Sequence, residues 1–308
     1  MQEPAFFART PSEVRRAMAA LDLRPSRKMG QNFLIDQSMA QAIVADLPLK
    51  PGERVLEIGP GFGALTAALL EHPAGPRVFA VEKDLRLAEW LRDAALRLPE
   101  GRLEIVTADF LKVEPGDLAP LHNDASDQGL VVLGNLPYSV STPIIMHLVE
   151  LFGERIRLGQ FLLQLEMAQR LSAAPGGPEY GAPTAKLGMM FDLTLTRRVP
   201  RNVFYPRPDI ESAVVRLLPL SGEVRLSPAD PHWDLAQRLI RAGFSQRRKK
   251  MARLCSDVLN RPVEEIESAL TGVGLPADVR AERIAPGDWI ALAGLLSGDV
   301  EMKHERGA

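Results

Sequence analysis

Between Arg54 and about Leu158, short apolar runs alternate with segments whose apolar residues return at helical spacing. The strand candidates are 54–58, 77–82, 103–107, 130–134 and 158–165. The helix candidates between them are 65–71, 85–98 and 143–152. This alternation predicts an α/β fold built on a parallel sheet with helices on both faces. A glycine- and proline-rich stretch, 174–183, reads as a mobile connection. Two β-rich runs, 192–199 and 212–218, are split by the proline-punctuated 200–208 and are expected to finish the sheet as an antiparallel hairpin. Beyond Pro219 only helical patterns remain, at 228–244, 248–259, 263–270 and 286–296. The expected organisation is an N-terminal extension (1–29), an α/β domain (30–219) and a small helical domain (220–308).

Several function classes are excluded early. A single cysteine, Cys255, rules out an internal disulfide framework and any Cys-rich zinc module. The five histidines lack metal-ligand spacing, so no metal is expected, and His147, in an apolar helical stretch, reads as a packed or capping residue. No apolar run approaches the roughly 20 residues of a membrane span, and no partner membrane is expected. The N-terminus carries Glu3, Glu13 and Asp22 where a signal peptide would be continuously apolar. Thr10-Pro11-Ser12-Glu13 instead has the form of a capping box with proline at the first helical position, opening a helix to about Leu21. A cytoplasmic, reducing location is the expectation. The net charge of −2 gives no global basic field, so a nucleic-acid partner would have to be held by local patches.

The run Val55-Leu56-Glu57-Ile58-Gly59-Pro60-Gly61-Phe62-Gly63 is a strand feeding a glycine-rich turn and then a helix. Its spacing is G-x-G-x-G, not the G-x-G-x-x-G of dinucleotide sites, and no Gly-Lys-Ser/Thr follows as in a P-loop. The acid Glu57 would repel a pyrophosphate. S-adenosylmethionine (SAM) has no phosphate and carries an ammonium group, so the acid suits it. Glu82 ends the second strand, where a carboxylate can accept from ribose hydroxyls. Asp109, after the third strand, can accept from an adenine amino group with Phe110 covering the ring. Any one of these acids alone would pass for a helix cap or a surface charge. Three acids closing successive strands beside a glycine loop point to a SAM site.

The fourth strand runs into Asn135-Leu136-Pro137-Tyr138. Taken alone this is a turn in which Pro137 starts a helix. At a strand end, beside the strand with the glycine loop, it stands where open α/β sheets bind ligands. An adenine N6 is a poor nucleophile because its lone pair is delocalised into the ring. The Asn135 side-chain oxygen and the Leu136 carbonyl could take its two N–H bonds and leave that lone pair facing a methyl donor. Pro137 lacks an N–H and holds Leu136 extended, and Tyr138 offers a stacking face. Such chemistry needs the base out of its stack.

With these motifs in place the chain resembles the bacterial small-subunit (16S) ribosomal RNA adenine N6,N6-dimethyltransferases, the KsgA/RsmA family. The resemblance extends over Gly30-Gln31-Asn32-Phe33-Leu34, Glu57–Gly61, Glu82, Asp109-Phe110, Asn135–Pro143, Tyr180-Gly181, Phe204–Pro208, Ser212–Leu217 and Phe244–Lys250. It implies a seven-stranded, mostly parallel, Rossmann-like SAM-dependent methyltransferase domain followed by a small all-helical domain. It further implies SAM contacts by Asn32, Leu34, Gly59, Glu82, Asp109 and Asn135, beside the Glu57, Gly61 and Phe110 already read from the glycine turn and the strand ends, with stacking of the base on Tyr138 and Phe204 as the second wall of the base pocket. The implied substrate is a pair of adjacent adenines in a terminal hairpin of 16S rRNA within the small (30S) ribosomal subunit or its precursor, and a monomer is the expected acting form. Leu165 stands where the family has lysine, and Gly181–Thr184 departs from the family's usual run.

Residues 235–256 hold seven basic side chains and no acid. Such a run is often only a solvated helix face. In an otherwise acidic chain it also suits phosphate contact, by Arg247, Arg248, Lys249 and Lys250, with Arg197, Arg198 and Arg201 extending it near the Phe204 loop. Rival readings are a large-subunit rRNA adenine methyltransferase, which typically has Ile at the Leu136 position, and a non-catalytic RNA-binding assembly or transcription factor on the same fold. A DNA adenine methyltransferase would bring a target-recognition domain that this chain lacks.

Overall fold

The chain opens with the helix Pro11–Ala20 (α1) and the two-residue strand Phe33–Leu34 (β1). The computed structural model describes residues 7–24, 32–122, 129–221, 225–246 and 248–297. Gly30 and Gln31 of the opening motif, and Arg247 of the basic block, lie outside the described residues. The capping box forms as its sequence demands. The Glu13 N–H donates to Thr10 Oγ1 at 3.3 Å and the Thr10 N–H to a Glu13 carboxylate oxygen at 3.0 Å. A cap of this kind contributes about 1 kcal/mol.

The chain then runs through Gln37–Ala45 (α2), Arg54–Ile58 (β2), Ala64–Glu71 (α3), Arg77–Glu82 (β3), Leu85–Ala95 (α4), Leu103–Thr107 (β4) and Ala119–His122 (α5). Leu130–Asn135 (β5), Ser141–Phe152 (α6), Ile156–Gln164 (β6) and Leu165–Leu171 (α7) follow. After them come Ala182–Gly188 (α8), Phe191–Val199 (β7), Phe204–Tyr205 (β8) and Ser212–Pro219 (β9). Seven strands form one sheet in the order β4-β3-β2-β5-β6-β9-β7. The first five are mutually parallel and β9 is antiparallel to β6. The fold is thus a Rossmann-like, mostly parallel sheet. The inner strand β2 presents Val55, Leu56, Glu57 and Ile58, all buried, because helices cover both faces of such a sheet.

The 200–211 connection does more than turn. Its strand β8 pairs with β1 in a separate two-stranded sheet, Phe33 opposite Tyr205 and Leu34 opposite Phe204. One buried polar network ties the antiparallel end of the main sheet to the end of α2. Gln160 donates to the Ile43 carbonyl at 2.6 Å and accepts from Arg216 at 2.9 Å, and Arg216 donates to the Asp46 carbonyl at 2.7 Å.

The described residues divide into two compact units. One holds the chain to Ala168 together with Thr194–Leu218, and the other holds Gln169–Leu193 together with Pro219 onward. The second unit contains α8 and the helices Trp233–Ser245 (α9), Met251–Leu259 (α10), Val263–Gly272 (α11) and Pro286–Ser297 (α12). The 174–183 stretch is anchored rather than open. Tyr180 is fully buried and its hydroxyl donates to the Ile284 carbonyl at 2.9 Å, while the Gly176 N–H donates to the Glu282 carbonyl at 2.6 Å. Among the described residues no helix is long and apolar enough to cross a membrane.

Candidate active site

The ends of β2, β3, β4 and β5 open into one cavity of ≈ 230 Å³. Asn32, Leu34, Glu57, Gly59, Gly61, Glu82, Asp109, Phe110, Asn135, Leu136, Pro137 and Tyr138 all line it. Residues as far apart in sequence as Glu57 and Tyr138 are brought together because the parallel register sets these strand ends side by side, Ile58 against Val81 and Gly134, Glu82 against Thr107. Sequence reasoning missed Phe62 and Lys83 on the same lining. Lys83 follows Glu82 directly, but nothing local signals that it turns towards Asp109.

The glycine turn is shaped by close approach. Gly61 has φ +59°, and a Cβ there would come within 2.9 Å of the Phe33 ring, so both its backbone and its surroundings demand glycine. Phe33 in turn packs edge-on against Phe62, with ring centroids 4.7 Å apart. The Gly61 N–H donates to one Glu82 carboxylate oxygen at 3.0 Å and the Asp84 N–H to the other at 2.9 Å. Glu82 therefore braces the turn as well as facing the cavity. Burial raises its pKa, an effect these two donors oppose.

Glu57 is 1% exposed and accepts from Thr66 Oγ1 at 2.7 Å. Burial pushes its carboxyl up to about 8, with the neighbouring Glu82 acting in the same direction. Asp109 differs in kind. It caps the short turn at Phe110 and pairs with Lys83 at 2.8 Å, and that partner holds its carboxyl below the usual range. One cavity thus holds a protonatable carboxyl, a braced carboxylate and an ion-paired carboxylate. Phe110 is buried and meets the edge of His147, whose Nε2 lies 2.9 Å from the Val113 carbonyl. His147 is therefore a packed residue.

At the end of β5, Gly134 carries the strand past Ile58. A Cβ there would lie 2.8 Å from the Ile58 carbonyl oxygen. The Asn135 amide N–H donates to the Asn32 carbonyl at 2.9 Å. That bond fixes the amide plane and sets the side-chain oxygen on its other side. The Leu136 N–H reaches the Leu162 carbonyl at 3.2 Å, and Val140 N–H closes the turn onto the Pro137 carbonyl at 3.1 Å. The four residues form a rigid strand-end hook leading into α6.

Two of the expected residues are placed apart from this lining. Phe204 does not line the cavity. It is 2% exposed and sits in the main core with Leu34, Val203 and Val214, because the β1–β8 pairing turns it inward opposite Leu34. Arg197 is not a freely presented cation, since both its Nη2 and its Nε donate to Asp46 Oδ2, at 2.8 and 3.2 Å. Arg198, Arg201, Arg248, Lys249 and Lys250 are exposed, and Arg201 also reaches the Asp209 carbonyl at 3.3 Å. Among the described residues no cluster of His, Cys, Asp or Glu has metal-binding arrangement.

The donor set of the cavity suits one ligand chemistry. Carboxylates can meet an ammonium and ribose hydroxyls, Phe33, Phe62 and Phe110 offer apolar faces, and its one lysine is already paired with Asp109. That is a poor home for a phosphate and a good one for SAM.

Comparison with known proteins agrees with this chemistry. The family model described as ribosomal RNA adenine dimethylase matches residues 23–295. A ribosomal RNA small subunit methyltransferase A from Chlorobium phaeobacteroides is 39% identical over 234 residues, covering 75% of this chain and 80% of its own. The protein of the same name from Thiobacillus denitrificans is 38% identical over 276 residues, covering 89% and 98%. Among solved structures, the 23S rRNA methyltransferase ErmE aligns with a TM-score of 0.63 at 25% identity, covering 86% of this chain and 100% of that one. A dimethyladenosine transferase from Plasmodium falciparum aligns with a TM-score of 0.68 at 21% identity, covering 85% and 96%, a likeness of fold.

Proposed function

The chain belongs to the ribosomal RNA adenine dimethylase family, and from that premise we propose that it uses SAM to dimethylate N6 of two adjacent adenines in a terminal hairpin of 16S rRNA during small-subunit biogenesis. The observation that carries the reading is that Asn135–Tyr138 and the glycine turn with its three acids line one and the same cavity. The large-subunit alternative draws on the likeness to ErmE. The relatives at 38–39% identity bear the small-subunit name, which favours the main reading. The reaction belongs in the cytoplasm, on a nearly assembled small subunit, with a single chain acting.

SAM, when bound, supplies an electrophilic methyl carbon. In this proposal Glu57 and the glycine turn face its amino-acid end, Glu82 its ribose, and Asp109 with Phe110 its adenine, while Asn32 and Leu34 close over it. Asn135 has the central task. With its amide nitrogen committed to Asn32, its oxygen accepts one N–H of the target amine and the Leu136 carbonyl accepts the other. The two acceptors favour a pyramidal nitrogen whose lone pair projects towards the donor. Alkylation makes that nitrogen strongly acidic, so no general base is required. Tyr138 gives the flipped base a face to stack on.

The test is incubation of labelled SAM with small subunits from a strain that lacks this modification. The expected product is N6,N6-dimethyladenine at two adjacent positions. No methyladenine in either the subunits or their free RNA would remove the assignment. Asn135→Ala is expected to abolish transfer, a loss of several orders of magnitude, while calorimetry still detects SAM binding.

A further inference from the structure

The cavity wall formed by Tyr138 is held from outside the cavity. Tyr138 is partly buried and lines the cavity. Its hydroxyl shares a 2.8 Å hydrogen bond with Oγ of Ser212. Ser212 is fully buried, opens β9 and is the register partner of Gln164 on β6, so its hydroxyl is set by two hydrogen-bonded strands of the main sheet. It is not one of the residues on the cavity lining. At the other end of the tyrosine the backbone is fixed as well. The Val140 N–H donates to the Pro137 carbonyl at 3.1 Å, and Ser141 Oγ reaches the Tyr138 carbonyl at 3.4 Å.

An aromatic ring has two soft torsions, and a ring that is to receive a flat base is useful only while both stay in one well. The turn fixes one end of Tyr138, and Ser212 fixes the far end. The stretch that Ser212 heads is otherwise apolar, Ala213, Val214 and Val215 all being buried. Packing alone would be served there by alanine, and a buried hydroxyl is costly unless it is hydrogen-bonded. The Ser212 hydroxyl meets that requirement through the tyrosine of the cavity wall.

We infer that Ser212 is a positioning residue for methyl transfer, fixing through its hydroxyl the plane of the Tyr138 ring against which the target base stacks. The inference rests on the stacking role proposed for Tyr138. Burial holds the Tyr138 phenol above its ordinary pKa, so the hydroxyl keeps its proton and the bond persists through the neutral range. The chemistry of the reacting nitrogen stays with Asn135 and Leu136. What Ser212 supplies is orientation, which appears in the rate of transfer rather than in the affinity for SAM.

The experiment is single-turnover transfer from labelled SAM to undermethylated small subunits, using Ser212→Ala, Tyr138→Phe, the double variant and Ser212→Thr. Each of the first two is expected to lower the rate constant about tenfold. The double variant should be no slower than either single change, since both remove the same bond. Ser212→Thr, which keeps the hydroxyl, should recover most of the rate, and the SAM dissociation constant should be unchanged throughout. Full rates in both single variants, or effects that multiply in the double, would overturn the inference. Should Ser212→Ala fail to fold, Tyr138→Phe removes the same bond from the cavity side and decides alone. Tyr138→Ala separates stacking from positioning. Full activity there would sink the stacking role itself. Loss of activity there, with full activity in Tyr138→Phe and Ser212→Ala, would sink only the role of Ser212.

Discussion

Glu57 is a carboxyl group held out of water inside a site whose ligand would bring positive charge. Burial moves its pKa from the ordinary 4.5 up to about 8. Between those values the folded chain keeps a proton that the unfolded chain has released. Stability attached to this group is therefore present at low pH and lost as pH climbs through that window. Glu57→Gln keeps the shape and the acceptor for Thr66 Oγ1 while removing the titration. The melting temperature of that variant should gain on the wild type between about pH 5 and about pH 9, at roughly 2–4 °C for each kcal/mol at this chain size. Parallel pH profiles for the two proteins would show that Glu57 is ionised throughout. The sequence made Glu57 visible as an acid before a glycine turn. It could not show the burial or the Thr66 bond, because both depend on how α3 packs against β2.

The strand-end hook at Gly134–Tyr138 shows the same division at the level of elements. The strands β2, β3 and β4 have the limits that their apolar runs predict, and α1 follows its capping box, because these signals are local. What escaped are chiefly pieces too short to have a period or fixed by distant partners, together with the nine-residue α2 and its Asp36 cap. The two-residue strands β1 and β8 are an example, since only their pairing defines them. That pairing also decides the burial of Phe204, which the resemblance named as the second wall of the base pocket. α8, in the glycine- and proline-rich region, escaped as well. Gly134 yields the prediction at this scale. Its missing Cβ, which would sit 2.8 Å from the Ile58 carbonyl oxygen, is what lets β5 lie against Ile58. Gly134→Ala must therefore push the strand end away from β2, at about 1–3 kcal/mol, and carry Asn135 out of line. Activity is expected to fall by more than tenfold, with a lowered melting temperature. An active variant of unchanged stability would mean that the strand end has slack.

For the molecule as a whole, charge is the limiting quantity. With a formal net charge of −2, the chain has no overall field to draw RNA in, so attraction must come from places where basic side chains are gathered and exposed. Arg197 shows why counting cations along the sequence overstates such a surface: it is paired with Asp46, a partner that local sequence does not reveal. Lys250 lies 4.0 Å from Asp278, with both side chains largely exposed, so that pair does little to neutralise it. Arg248 and Lys249 are exposed, in the acid-free stretch between α9 and α10. If they meet phosphates, each displaces condensed counterions from the RNA, and binding weakens with salt in proportion to the number of phosphates neutralised. Arg248→Ala with Lys249→Ala should then weaken RNA binding at low salt. It should also make the plot of log affinity against log salt shallower by roughly 0.7–0.9 for each phosphate left without its cation. SAM affinity should not change, since neither residue lines the cavity. Fluorescence titration with a 16S hairpin at several salt concentrations measures the affinity and its salt slope together. A slope equal to that of the wild type would reduce the basic stretch to a solvated helix face and leave RNA capture to other cations, beginning with Arg198 and Arg201.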